Sequence, residues 1–133
     1  MRKEAREAVF IALYRDCFIT DSSSDFFAKV CKERKLNDND TQFATKLYNV
    51  VKDNEQTLLE YISQLSQGFL LNRIFLTDMC ALLIGLCEMC YFEDVPKIVA
   101  IDEAVNLTKK YSGEKSQSFV NGILAEFKRR QEN

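Results

Sequence analysis

Apolar side chains recur at steps of three and four residues along almost the whole chain, the spacing of one helical face. No stretch alternates with the period of two that a half-buried strand needs, so the pattern predicts an all-α fold. Ala5, Ala8, Val9, Ala12, Leu13 and Cys17 mark a first helix over residues 2–18. The polar run 21–25 competes with helix through its own side chains, and Ser22 and Asp25 stand at capping-box spacing for a second. That helix carries Phe26, Phe27, Val30 and Cys31 inward until Asn37-Asp38-Asn39-Asp40 ends it and caps a third, marked by Phe43, Leu47, Val50 and Val51. Leu58, Leu59, Ile62 and Leu65 mark a fourth helix, ended near Gly68.

A short turn is expected over residues 72–76. From Asp78 to about Phe92 the chain is apolar nearly all round, the mark of a helix at the centre of the fold. Pro96 suits the first turn of the next helix, because its missing N–H needs no partner there. The inner stripe of that helix reads Ile98, Ile101, Ala104, Val105 and Thr108, and Ser112-Gly113 ends it. A last helix from Glu114 or Lys115 to Arg130 buries Phe119, Val120, Ile123, Leu124 and Phe127.

At 133 residues the chain has the size of one domain, spanning 1–133, that buries about two-thirds of its unfolded surface. The most apolar stretch is interrupted by Gly85 and Glu88, so no membrane span is expected, and nothing at the start reads as a signal peptide. A cytoplasmic setting follows. The five cysteines fall inside apolar-periodic segments and read as reduced core residues, the Cys87-Glu88-Met89-Cys90 pair included. Histidine is absent, which removes Ser-His-Asp and Cys-His nucleophile systems and His-containing zinc sites. No phosphate-cradling glycine loop is present, so neither an enzyme nor a cofactor is expected.

The net charge of -2 makes any nucleic-acid binding a matter of local patches. Two candidates exist: Arg2, Lys3 and Arg6 at the start, and Lys128-Arg129-Arg130 at the end. Both also read as solvated termini, the second complementing a helix dipole. Tyr14, Tyr111 and Phe119 lie where they could stack on unpaired bases or fill the core.

Three stretches carry a resemblance. They are Ala5-Arg6-Glu7 with Ala12-Leu13-Tyr14; Asp94-Val95-Pro96 with Val99-Ala100-Ile101-Asp102-Glu103-Ala104-Val105; and Ser116 with Phe119-Val120-Asn121-Gly122-Ile123-Leu124. In order and separation they resemble the NusB family of transcription antitermination factors over essentially the whole chain. The resemblance implies about seven helices in two small packed bundles. It also implies a non-enzymatic factor that binds boxA-type single-stranded RNA with NusE, a ribosomal small-subunit protein, and joins RNA polymerase antitermination complexes, supporting ribosomal RNA transcription. Carried over by position, the RNA side comprises Arg2, Lys3, Arg6, Tyr14, Lys115, Ser116 and Phe119, and Asp78 faces NusE. Family members differ in oligomeric state, so a monomer or a homodimer is implied.

Asn121 and Gly122 are poor helix formers inside a helical pattern, and we expect packing to explain them: close approach of another helix at Gly122, and a polar contact such as Glu103 for Asn121. Arg6→Ala is expected to weaken RNA binding and flatten its salt dependence. Two other functions fit the sequence: a protein-only helical adapter, or an accessory domain like those of ribosomal RNA cytosine methyltransferases.

Overall fold

The computed structural model describes residues 2–19, 24–66 and 71–132; the expected cap Ser22 and terminator Gly68 lie outside the described residues. Seven α-helices account for the described residues, with no strand among them: α1 (Arg2–Asp16), α2 (Ser24–Glu33), α3 (Asp38–Asp53), α4 (Glu55–Leu65), α5 (Leu76–Tyr91), α6 (Lys97–Tyr111) and α7 (Glu114–Gln131). A 3-10 turn at Leu71–Arg73 precedes α5. Helix α3 starts as its sequence dictates, because the Asn37 side chain accepts a hydrogen bond from the Asp40 backbone N–H at 2.8 Å. Pro96 sits one position earlier than expected, at the N-cap of α6, where its lack of an N–H is equally harmless.

Helices α1, α2 and α3 pack together, α4, α6 and α7 form a second group, and α5 packs against helices of both. Its side chains explain that position: from Asp78 to Met89 every residue of α5 is buried. Ring stacking ties α2 to α3 through Phe27 and Tyr48, with centroids 4.6 Å apart, and Phe43 of α3 meets Phe92 edge-on at 5.5 Å.

Two expectations about packing need correction. Ile98 is 62% exposed, because the stripe of α6 enters the core only from Ala100 and Ile101 onward and the first turn stands clear. Gly122 has no atom within 4 Å of where a Cβ would stand, and both it and Asn121 are exposed, so helix packing does not explain either. Glu103, offered as a partner for Asn121, is instead paired with Arg6.

The close approach occurs at Gly85. A Cβ there would lie 2.7 Å from Leu124 Cδ1 and 3.1 Å from Ala104 Cβ, so α5, α6 and α7 meet across a missing side chain. Leu124 can rotate a methyl aside, but the Ala104 methyl is fixed to its backbone and cannot swing away. A branched Gly85→Val side chain is expected to push the three helices apart and destabilise the protein by about 1–3 kcal/mol in urea unfolding.

Candidate nucleic-acid interface

The charged residues of α1 divide between the interior and the surface, and α5 and α6 together decide which goes where. Helices α1 and α6 run side by side in parallel, as the pairs Arg2–Asp94, Arg6–Glu103, Glu7–Lys110 and Phe10–Tyr111 show. Arg6 turns inward and is only 5% exposed. Its Nε and Nη2 donate to the two Glu88 oxygens at 2.8 and 2.7 Å, and Nη1 lies 3.7 Å from Glu103 Oε2. Glu88 is wholly buried in α5; burial pushes its carboxyl upward and the Arg6 guanidinium opposes that push.

Glu7 is 3% exposed and accepts hydrogen bonds from Lys110 Nζ, at 2.9 Å to each oxygen, from Arg34 Nη2, and from Tyr111 Oη at 3.3 Å. Arg6 and Glu7 therefore fasten α1 to α5, α6 and the residues just after α2. The expectation that Arg6 contacts RNA is corrected by this arrangement, since its donors are committed to buried carboxylates.

Arg2 and Lys3 remain at the surface but face different ways. Arg2 reaches Asp94 at 3.0 Å and lies 4.3 Å from the Phe43 ring centroid, with its side chain still 44% exposed. Lys3 turns toward α6, where with Lys109 and Lys110 it lines a shallow cleft over Glu7 and Glu103. Neither Lys3 nor Lys109 has an ion pair among the described residues, and both are exposed. Tyr14, 38% exposed near the far end of α1, meets Phe18 edge-on at 5.2 Å. Phe10, one helical turn before it, stacks on Tyr111 at 4.7 Å, which brings the end of α6 alongside.

Past that end, the first turns of α5 and α7 meet around a cavity of about 160 Å³ lined by Arg73, Phe75, Asp78, Lys115, Ser116 and Phe119. Here the structure brings together three of the expected RNA residues. Lys115 is exposed, Phe119 half-buried, and Ser116 buried at 7% exposure. Asp78, expected at a partner surface, is itself 3% exposed; the Ser112 hydroxyl lies 3.3 Å from its Oδ1 and 2.6 Å from Thr77 Oγ1. Its carboxylate also complements the N-terminal turn of α5. Direct contact through the Asp78 carboxylate therefore does not fit this geometry.

The basic C-terminal run does not form a free patch. Lys128 pairs with Glu132 at 3.0 Å, and Arg129 and Arg130 both donate to Glu126, which they hold down at about 2. Lys109, Arg73 and Phe75 were not legible as site residues. Phe75 is 73% exposed, and only the α1–α6 and α5–α7 pairings place these three beside expected ones. Cys87 is buried and its thiol is pushed up, and among the described residues no cluster of His, Cys, Asp and Glu could hold a metal ion. Among them too, no helix is long and apolar enough to cross a membrane.

Comparison with known proteins agrees with this architecture. A transcription antitermination protein NusB of Acetivibrio thermocellus is 36% identical over 123 residues, covering 92% of this chain and 85% of that one. Its counterpart in Finegoldia magna is 33% identical, covering 99% and 96%. A crystal structure of antitermination factors NusB and NusE in complex with double-stranded RNA contains a chain that matches with a TM-score of 0.86 at 26% identity, covering 94% of this chain and 93% of that one. The family model described as NusB matches residues 3–129, and with relatives of this similarity aligned over nearly their full length, the chain belongs to the NusB family.

Proposed function

We propose that this protein, a member of a non-enzymatic family of transcription antitermination factors, binds boxA-type single-stranded RNA together with NusE. It then joins RNA polymerase antitermination complexes in the cytoplasm and supports ribosomal RNA transcription. The observation that carries this reading is the convergence of Lys115, Ser116 and Phe119 with Arg73 and Phe75 around one cavity. Cations beside rings suit an unpaired strand: the cations neutralise phosphates, and the rings offer faces to bases that a duplex keeps stacked. Under this proposal the strand runs on from the cavity to Tyr14 and to the separate cleft lined by Lys3 and Lys109. A related chain is known in a complex of NusB and NusE with double-stranded RNA, which supports NusE and RNA as partner classes.

The RNA-contacting set under this proposal is Arg2, Lys3, Tyr14, Lys115, Ser116 and Phe119, with Lys109 and Arg73 added. NusE approaches on the α5 side of the cavity, where Asp78 shapes the first turn of α5 next to exposed Phe75 and Leu76. Three or four phosphate contacts give a log–log salt slope of about -2 to -3 for a single strand, hence modest affinity for the protein alone. NusE adds surface and RNA contacts, so the pair binds more tightly than either component. Titrating labelled boxA-like and scrambled RNA with and without NusE checks this. We expect NusE to tighten binding of the boxA-like strand selectively. Equal enhancement for both strands, or none, would instead support a protein-only adapter.

A further inference from the structure

Helix α7 begins without a side-chain cap. Its N-cap is Gly113, which has no side chain to accept from the first turn, and the first hydrogen bond of the helix runs from the Gln117 N–H to the Gly113 carbonyl at 3.1 Å. The backbone N–H groups of Glu114, Lys115 and Ser116 therefore have no acceptor within the helix. The start of α5, across the cavity, differs: it also lacks a side-chain cap, but the buried Asp78 carboxylate lies in its first turn. Helix α7 has an acid in its first turn too, yet Glu114 is exposed and does not line the cavity.

Ser116 gives a second, separate indication. It lines the cavity, only 7% of it is exposed, and its hydroxyl has no hydrogen-bond partner among the described residues. Leaving a buried hydroxyl unpaired is costly, and the large majority of buried side-chain polar groups are paired. Asp78 does not satisfy it, since the Asp78 Oδ1 lies 3.3 Å from the Ser112 hydroxyl instead. Arg73 and Lys115 set two cations against the one carboxylate of Asp78 around the cavity, and the start of α7 adds further positive potential.

We propose that the α7 side of this cavity is a seat for one phosphoryl oxyanion. The Ser116 hydroxyl and the first-turn N–H groups of α7 donate to its oxygens, and Lys115 and Arg73 balance its charge. The oxyanion is a backbone phosphate of the RNA, an assignment that rests on the function proposed above, or free inorganic phosphate. Phe119 lies one helical turn beyond Ser116 on the same face of α7, so a strand phosphate in the seat sets its neighbouring nucleotide against that ring. Phosphate contacts of this kind fix the register of a strand. Neutral donors add affinity without releasing counterions, which separates the part of Ser116 from that of the cations.

The test has two arms. In the first, the isotope-labelled full chain, free of RNA and NusE, is titrated with inorganic phosphate against sodium chloride at matched ionic strength, and backbone amide shifts are followed. We expect saturable shifts at Glu114, Lys115 and Ser116 with phosphate and none with chloride. Ser116→Ala should abolish them while keeping the circular dichroism of the parent. No saturable shift at these amides, or the same shift in Ser116→Ala, would overturn the proposal whether or not the protein binds RNA. In the second arm, boxA-like RNA with one neutral methylphosphonate, at each linkage in turn, is compared with the fully charged strand in the presence of NusE. We expect Ser116→Ala to weaken binding of the charged strand about tenfold with its salt slope unchanged. At one linkage the neutral group should cost the parent about as much and the variant nothing further. Additive losses at every linkage would assign the seat to free phosphate rather than to the strand.

Discussion

Replacing Arg6 by alanine destabilises the protein by about 3–5 kcal/mol, measured by denaturant unfolding, because it leaves the wholly buried Glu88 carboxylate without its partner. That is a large share of a stability that for most domains is only about 5–15 kcal/mol. The cost arises from the orphaned charge rather than from the pair's own attraction. The double replacement Arg6→Met with Glu88→Leu is therefore expected to recover most of the loss, since no buried charge then remains unmatched. Glu103 tolerates the change, as its side chain is 23% exposed and water can reach it.

The pH dependence of this effect has a definite sign. Burial raises the Glu88 carboxyl in the folded protein, and Arg6 is the first force opposing that rise. Without Arg6 the rise is larger, so the folded variant holds a proton that the unfolded chain has released. A folded state that binds more protons loses stability as pH increases. The Arg6→Ala penalty is accordingly smallest below the ordinary glutamate range, near pH 4.5, and grows as pH rises through the raised folded value. A penalty that is equal at pH 5 and pH 8 would show that the Glu88 charge is not its source.

Helical periodicity gave most of the fold because it reports each helix's relation to the core directly. The all-round apolar pattern of α5 placed it at the centre, and the Asn37 cap fixed the start of α3. Charges were read less well, since a cation shows the same letter whether it faces solvent or a buried carboxylate. Arg6 and Lys3 differ by three positions on α1, yet one is locked to Glu88 and the other is open. Glu88, 82 residues from Arg6, looked like an interruption of an apolar run, when it is the reason Arg6 turns inward. The C-terminal Lys128-Arg129-Arg130 run is a dense basic motif whose charges are met by Glu126 and Glu132 on the same helix end, in keeping with its reading as a solvated terminus. Asn121 and Gly122 remain exposed in α7, and nothing in the structure explains why that helix carries them.

The double replacement Lys3→Glu with Lys115→Glu should weaken RNA binding by about tenfold to a hundredfold while leaving unfolding almost unchanged. Both side chains are exposed and neither has an ion pair among the described residues, so their reversal costs the fold little. Each removes one phosphate contact and places a repelling carboxylate in its stead. The same change at Arg129 and Arg130 is expected to do far less to RNA, because their charge is already met by Glu126. The most direct measurement is the salt dependence of boxA-like RNA binding for these two variants and the parent. The account predicts that the log–log slope flattens by about 1.4 for the Lys3/Lys115 variant and stays near the parent value for the tail variant. A slope that flattens for the tail variant alone would contradict it.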